Sequence, residues 1–192
     1  ARNLYLRGRD HGLRALRAAP GFARAMKAGL SAFQENLKPF GKENLPLLFW
    51  TAYCWSGWIN LSRTDPDALA DLPRVEAMMA RALAIDPAFF HGGPELFFGV
   101  YYGSRSRLLG GDPKKAREHF ERAIAASGGK FLMAKLLYAR YYAVQSQKRK
   151  LFIKLLSEVE NAPAGLLPDQ ALANALARKR ARELRGQAEE LF

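Results

Sequence analysis

Alanine and leucine supply 59 of the 192 residues, 31 and 28, while valine, isoleucine and threonine together supply only 10. β-Branched side chains are stiff at χ1 and suit the pleated surface of a sheet. Alanine and leucine lose little on entering a helix. This ratio excludes a β-barrel, a sandwich and a doubly wound α/β fold, and predicts an all-α protein. With 49% hydrophobic residues the chain has enough apolar material for a real core, and its length suits one large domain or a single repeat array.

Proline and glycine divide the chain into candidate helices. Leu6, Leu13 and Leu16 recur at helical spacing in a first helix over about 2–17. Pro20-Gly21 starts a second, continuous to Leu37. Pro39, Gly41 and Pro46 precede a third over about 47–61. Pro73 sits at the first position of a fourth that ends at Asp86-Pro87. A fifth runs over about 94–106. Gly110-Gly111-Asp112-Pro113 then reads as a turn, an Asp cap and a leading proline for a sixth, ending at Ser127-Gly128-Gly129. Helices over about 131–144 and 148–161 follow, and Asp169 is expected to cap a last helix over about 169–192.

The helices fall into pairs with a common register. Residues 139–163 carry Ala139, Tyr142, Leu151, Leu155, Glu158 and Pro163 at the spacing of a tetratricopeptide repeat, with Glu158 where a small residue is usual. Gly99, Tyr102, Ala116, Phe120, Ala123 and Gly128 repeat it with an insertion between the helices, as do Gly57, Asn60, Val75, Met79, Ala82 and Pro87. The expected fold is therefore an all-α tetratricopeptide-like helical-hairpin array over residues 1–192, a single domain. It has an N-terminal hairpin over 1–38, pairs over about 46–87, 94–128 and 131–163, and a C-terminal helix over about 169–192. A generic antiparallel bundle would show similar stripes and loops.

Charge is uneven. The net formal charge is +12, with +6 over residues 1–40, −3 over 41–100, +9 over 101–150 and none over 151–192. An acidic middle between basic blocks does not suit a nucleic-acid groove, and no RRM, KH or zinc-finger pattern is present. No signal peptide stands at Ala1, where Arg2, Arg7, Arg9 and Asp10 interrupt any apolar run. The uncharged stretch 44–62 carries Pro46, Ser56, Gly57 and Asn60 among aromatic residues, and reads as a buried central helix rather than a membrane span. Trp50, Trp55 and Trp58 are all expected to be mostly buried there.

A family resemblance rests on the order of several stretches. Leu4-Tyr5-Leu6-Arg7-Gly8-Arg9-Asp10 is followed by Leu47-Leu48-Phe49-Trp50-Thr51-Ala52 and Trp55-Ser56-Gly57-Trp58-Ile59. Asp71-Leu72-Pro73, Gly110-Gly111-Asp112 and His119-Phe120-Glu121-Arg122-Ala123-Ile124 come next, then Tyr138-Ala139-Arg140-Tyr141-Tyr142 and Leu172-Ala173-Asn174. In this order the chain resembles the T-component of bacterial TRAP-type transporters, a tetratricopeptide-like periplasmic lipoprotein. The resemblance implies a non-enzymatic accessory component that partners a periplasmic solute-receptor subunit. It also implies a periplasmic protein, lipid-anchored in its full-length form by a cysteine that Cys54, in mid-helix, cannot be.

Enzyme chemistry is not expected. His11, His91 and His119 belong to no H-E-x-x-H or H-x-x-x-H pair, and His119 reads as part of a solvated charged face. Cys54, the single cysteine, has no basic flank to activate it. No catalytic residue, metal site or cofactor is assigned.

Repeats of this kind bind partners along the first helix of each pair. The corresponding positions are Thr51, Cys54, Trp58 and Leu61, then Leu96, Val100, Gly103 and Ser104, then Met133, Leu136, Arg140 and Ala143. This wall is apolar with one cation. Thr51, Cys54, Trp58, Leu96, Val100, Met133, Leu136 and Arg140 are accordingly the candidate ligand-binding residues for an apolar or amphipathic anionic small molecule, with Arg140 at its head group. Packing against the flanking terminal helices would call for the same apolar face. The alternative function is a scaffold with no small-molecule ligand that binds an acidic protein through Lys114, Lys115, Arg117, Lys148, Arg149 and Lys150. The expected partners are thus the receptor subunit, the small molecule and further copies of the chain in a homo-oligomer, with no nucleic acid.

Overall fold

The computed structural model describes all residues, 1–192. The chain is all-α, as its composition predicts; no strand occurs. Its helices gather into two compact units, Ala1–Asp86 and Pro87–Phe192.

In the first unit, α1 (Arg2–Leu16) lies along α4 (Leu45–Asn60). The two backbones come close because glycine faces a side chain at each contact. A Cβ on Gly8 would sit 2.6 Å from Cys54 Sγ, and one on Gly12 would sit 2.0 Å from Thr51 Oγ1. The expected second helix is two. At Gly29 the backbone turns to φ 103°, a conformation L side chains rarely adopt, and separates α2 (Phe22–Ala28) from α3 (Leu30–Leu37). Phe22 and Phe33 then meet edge to face at 5.6 Å in the core. Asp65 caps α5 (Pro66–Ala70), and Pro73 sits in the first turn of α6 (Leu72–Ile85) as read from the sequence. Trp55 is buried and donates its indole N–H to Asp71 at 3.2 Å. Trp50 departs from expectation: it is 39% exposed, because α1 and α6 pack on α4 and leave the strip bearing Trp50 and Tyr53 uncovered. No helix is long and apolar enough to cross a membrane.

In the second unit, α7 (Phe89–Gly103) pairs with α8 (Pro113–Ala126). A Cβ on Gly99 would meet the Phe120 ring at 2.9 Å, so the small and large positions of the proposed register face each other here. Asp112 caps α8 by accepting the N–H groups of Lys114 and Lys115, as the Gly-Gly-Asp-Pro run predicts. The start of α7 was not legible: Phe90, His91 and Gly92 form a left-handed turn, φ 47°, 59° and 80°, before Pro94. Next come α9 (Leu132–Tyr138), a π-helical turn (Ala139–Ala143) and α10 (Arg149–Glu160). The last elements are α11 (Ala171–Gly186) and α12 (Ala188–Leu191). Asp169 does not cap α11; it lies in a short 3-10 turn, 3.5 Å from His91 Nε2. Asn174 does the joining instead. Its buried amide accepts from the Leu132 N–H at 2.9 Å and donates to the Lys130 carbonyl at 3.0 Å, fixing α11 to the start of α9. Phe120, Leu132, Leu136, Phe152, Leu156 and Val159 make the core.

Candidate binding cleft

A concavity lies in the second unit and begins with a change of helical pitch. After Tyr138 the hydrogen bonds of α9 lengthen to a five-residue step, Val144 N–H to Ala139 C=O at 3.2 Å. A π turn accommodates one residue more than an α turn and re-aims the side chains within it. Here it presents Tyr141 and Tyr142. The end of α7 comes close to it, since a Cβ on Gly103 would be 3.1 Å from the Tyr141 carbonyl oxygen. Between the end of α7, the loop after it, the start of α8 and the π turn lies a cleft of about 470 Å³. Tyr102, Tyr141 and Tyr142 line it together with Arg105, Arg107 and Lys148, and no carboxylate does.

Two of the three cleft cations, Lys148 and Arg105, are held against tyrosine rings. Lys148 Nζ donates to Tyr142 Oη at 2.5 Å and lies 4.8 Å from that ring's centre. The Arg105 guanidinium lies 3.6 Å over Tyr101, and Lys115 Nζ lies 5.2 Å from Tyr102. Cations held against aromatic faces keep their hydrogen-bond donors for a ligand. Such a lining can grip a carboxylate or phosphate while aromatic faces cover an apolar body.

Beside the cleft, α7 and α8 share a polar cluster around one buried glutamate. Glu95, 5% exposed, accepts from Arg122 Nε at 2.9 Å and lies 2.5 Å from His119 Nδ1. The His119 ring is stacked against both Phe98 and Tyr102, with ring centres 5.4 and 5.6 Å away. His119 is therefore not part of a solvated face; Glu95, one helix away, draws it inward. Tyr138 lies next to this layer, stacked on Phe120 at 5.0 Å. Burial first, then the Glu121 carboxylate, pushes its phenol well above the ordinary range.

The eight candidate ligand residues fall in both units. In the first, Thr51 is buried against Gly12 and donates its hydroxyl to the Leu47 carbonyl at 2.6 Å. Cys54 faces Gly8, and partial burial raises its thiol pKa. Trp58 is 8% exposed, lies under the Arg9 guanidinium at 4.5 Å, and keeps a buried indole N–H without a hydrogen-bond partner. In the second, Leu136 is in the core, and Leu96, Val100 and Met133 are partly buried against it. Arg140 is exposed on the π turn, 5.6 Å from the Tyr141 ring, and does not line the cleft. The next carboxylates along the chain, Glu158 and Glu160, are engaged away from Arg140. Glu158 pairs with Lys135 at 2.7 Å and Glu160 with Arg185 at 2.9 Å.

Of the basic residues assigned to an acidic partner, Arg117 pairs with Glu121 at 2.8 Å, Arg149 pairs with Glu189, and Lys148 turns into the cleft. Lys114, Lys115 and Lys150 are exposed. From the sequence, Tyr102 and Tyr142 are repeat-register positions only, and no ligand role falls to them, to Tyr141 or to Arg105 and Arg107. The available signal was the doubled Tyr101-Tyr102 and Tyr141-Tyr142 inside the most basic block.

Compared with known families, residues 1–192 match the family model described as TRAP transporter T-component. No curated protein matches the chain.

Proposed function

Because the chain belongs to the TRAP transporter T-component family, matched over its whole length, it is an accessory component of a solute transport system, and we propose that it holds an amphipathic anionic solute in the cleft of its second unit. The observation that carries this reading is the lining itself: three cations, three tyrosine rings and no carboxylate around about 470 Å³. The head group would sit among Arg105, Arg107 and Lys148, and the body against Tyr102, Tyr141 and Tyr142. Leu96, Val100 and Met133 do not line this cleft; they pack against the core of the same unit. Arginine suits the head group because its planar fork can make two parallel hydrogen bonds to a carboxylate. Nothing in this role needs covalent chemistry. Docking of the solute-receptor subunit, self-association, periplasmic placement and a lipid anchor belong to the same proposal and rest on family membership alone.

Calorimetry with an alkyl carboxylate and the alcohol of equal chain length tests the cleft. Lys148→Met is expected to weaken carboxylate binding by about 1.5–3 kcal/mol, the range for hydrogen bonds to charged groups, and to affect the alcohol less. Equal losses for both ligands would end the head-group assignment. Arg140→Met is the comparison: an effect as large there would move the head group to Arg140.

A further inference from the structure

The loop that joins α7 to α8 carries two leucines that touch almost nothing: Leu108 is 97% exposed and Leu109 73%. They are not on a loose strand. Residues 107–109 form a 3-10 turn, and the N–H groups of Leu109 and Gly111 both donate to the Ser106 carbonyl at 2.9 Å. The Gly110 N–H donates to Arg107 at 3.1 Å, and the Asp112 N–H to Tyr102 at 3.2 Å. Gly111 is packed so closely that a Cβ there would lie 2.0 Å from the Arg105 carbonyl oxygen. The tip is thus built by its own backbone, and the leucines are displayed on it.

Cations flank the pair on both sides, Arg105 and Arg107 before it and Lys114 and Lys115 after it. The one acid in the segment is Asp112, whose carboxylate is engaged with the N–H groups of Lys114 and Lys115. We propose that this tip docks on an anionic lipid bilayer, with Leu108 and Leu109 entering the acyl boundary and Arg105, Arg107, Lys114 and Lys115 meeting the lipid phosphates. Apolar side chains foremost, with basic side chains just behind, is the order in which a bilayer presents acyl chains and phosphates. A protein partner is the poorer fit, because protein hot spots favour Trp, Tyr and Arg anchors in well-packed pockets, and this apex offers two bare aliphatic side chains. Leu108 and Leu109 do not line the cleft, whereas Arg105 and Arg107 do, so the part of this proposal that is separate from the solute reading rests on Leu108, Leu109, Lys114 and Lys115.

The test is sedimentation of the purified 192-residue chain with vesicles of phosphatidylcholine, with and without phosphatidylglycerol, at low and high salt. The chain is expected to sediment with the phosphatidylglycerol vesicles, and less so as salt rises. L108S/L109S should lower that partition roughly tenfold or more, and K114Q/K115Q should lower it and flatten the salt dependence. Helical ellipticity should survive in both variants, because these side chains lie outside the core. Failure to sediment with phosphatidylglycerol vesicles would overturn the proposal, and so would an L108S/L109S variant that sediments like the parent. Should that variant keep its vesicle binding but lose binding to a purified solute-receptor subunit, the tip is a protein-docking site instead.

Discussion

Glu95 lies buried between Arg122 and His119, and a carboxylate at that depth is tolerated only because both its oxygens are engaged. Glu95→Gln keeps the shape, removes the charge and replaces one of the two acceptor oxygens by an NH2 donor, so one of Arg122 and His119 loses its acceptor; it should lower stability by about 1–3 kcal/mol in chemical unfolding. Trp58→Ala should cost about 3–5 kcal/mol, since the ring is core beneath Arg9; a loss well under that range would mean that the ring fills no space. Tyr138 carries a pH dependence. Its phenol is raised above the ordinary value of 10.0, so the unfolded chain releases this proton first as pH climbs. The stability it contributes is complete below that pH and is lost above it. Tyr138→Phe should flatten that alkaline decline, as denaturant midpoints at stepped pH would show. Of these residues, only the burial of Trp58 was legible in the sequence. Glu95 and His119 are far apart in the chain, and only the α7–α8 pairing gives each its environment.

At the scale of elements, α1 and α4 test whether close approach or the residues themselves hold the pair. Gly8→Ala would drive a methyl into Cys54 Sγ and should destabilise the first unit, whereas adding Cys54→Ala should recover part of the loss. A double mutant no more stable than Gly8→Ala would show that the backbone separation, not the sulfur, sets the limit. The π turn is the second case. Deleting Arg140 would return the segment to α-helical pitch with its flanking turns in place, and re-register Tyr141 and Tyr142. Helicity should persist while carboxylate binding falls. Binding equal to the parent's would mean that the turn does not shape the cleft. Most helices were readable, because proline, glycine and Asp caps act locally; the break at Gly29 and the start of α11 were not. The π turn and the left-handed turn at Phe90–Gly92 were not readable: Ala139–Ala143 and Phe90-His91 have ordinary helical composition, and the constraint that reshapes them comes from neighbours distant in sequence.

For the whole molecule, an excess of 12 positive charges makes self-repulsion a term in stability. Raising salt from near zero to physiological strength should raise the melting temperature, because screening reaches repulsion among exposed cations more than pairs with a buried partner such as Glu95–Arg122. A falling melting temperature would show that exposed ion pairs such as Lys38–Glu35 outweigh the excess charge.

The scarcity of β-branched residues, the helix breaks and the paired register are properties of neighbours along the chain, and from them an all-α fold follows without any coordinates. The ordered stretches from Leu4 to Asn174 likewise pointed to the family that the match over 1–192 shows. The cleft is different in kind. Tyr102, Arg105, Tyr142 and Lys148 meet only because α7 ends where a π turn begins, and an extra residue in one turn decides which way two tyrosines face. Apolar periodicity shows that a face is buried but not against what. So the sequence places Thr51 and Cys54 on an apolar face, and only the tertiary structure sets Gly12 and Gly8 of α1 against them.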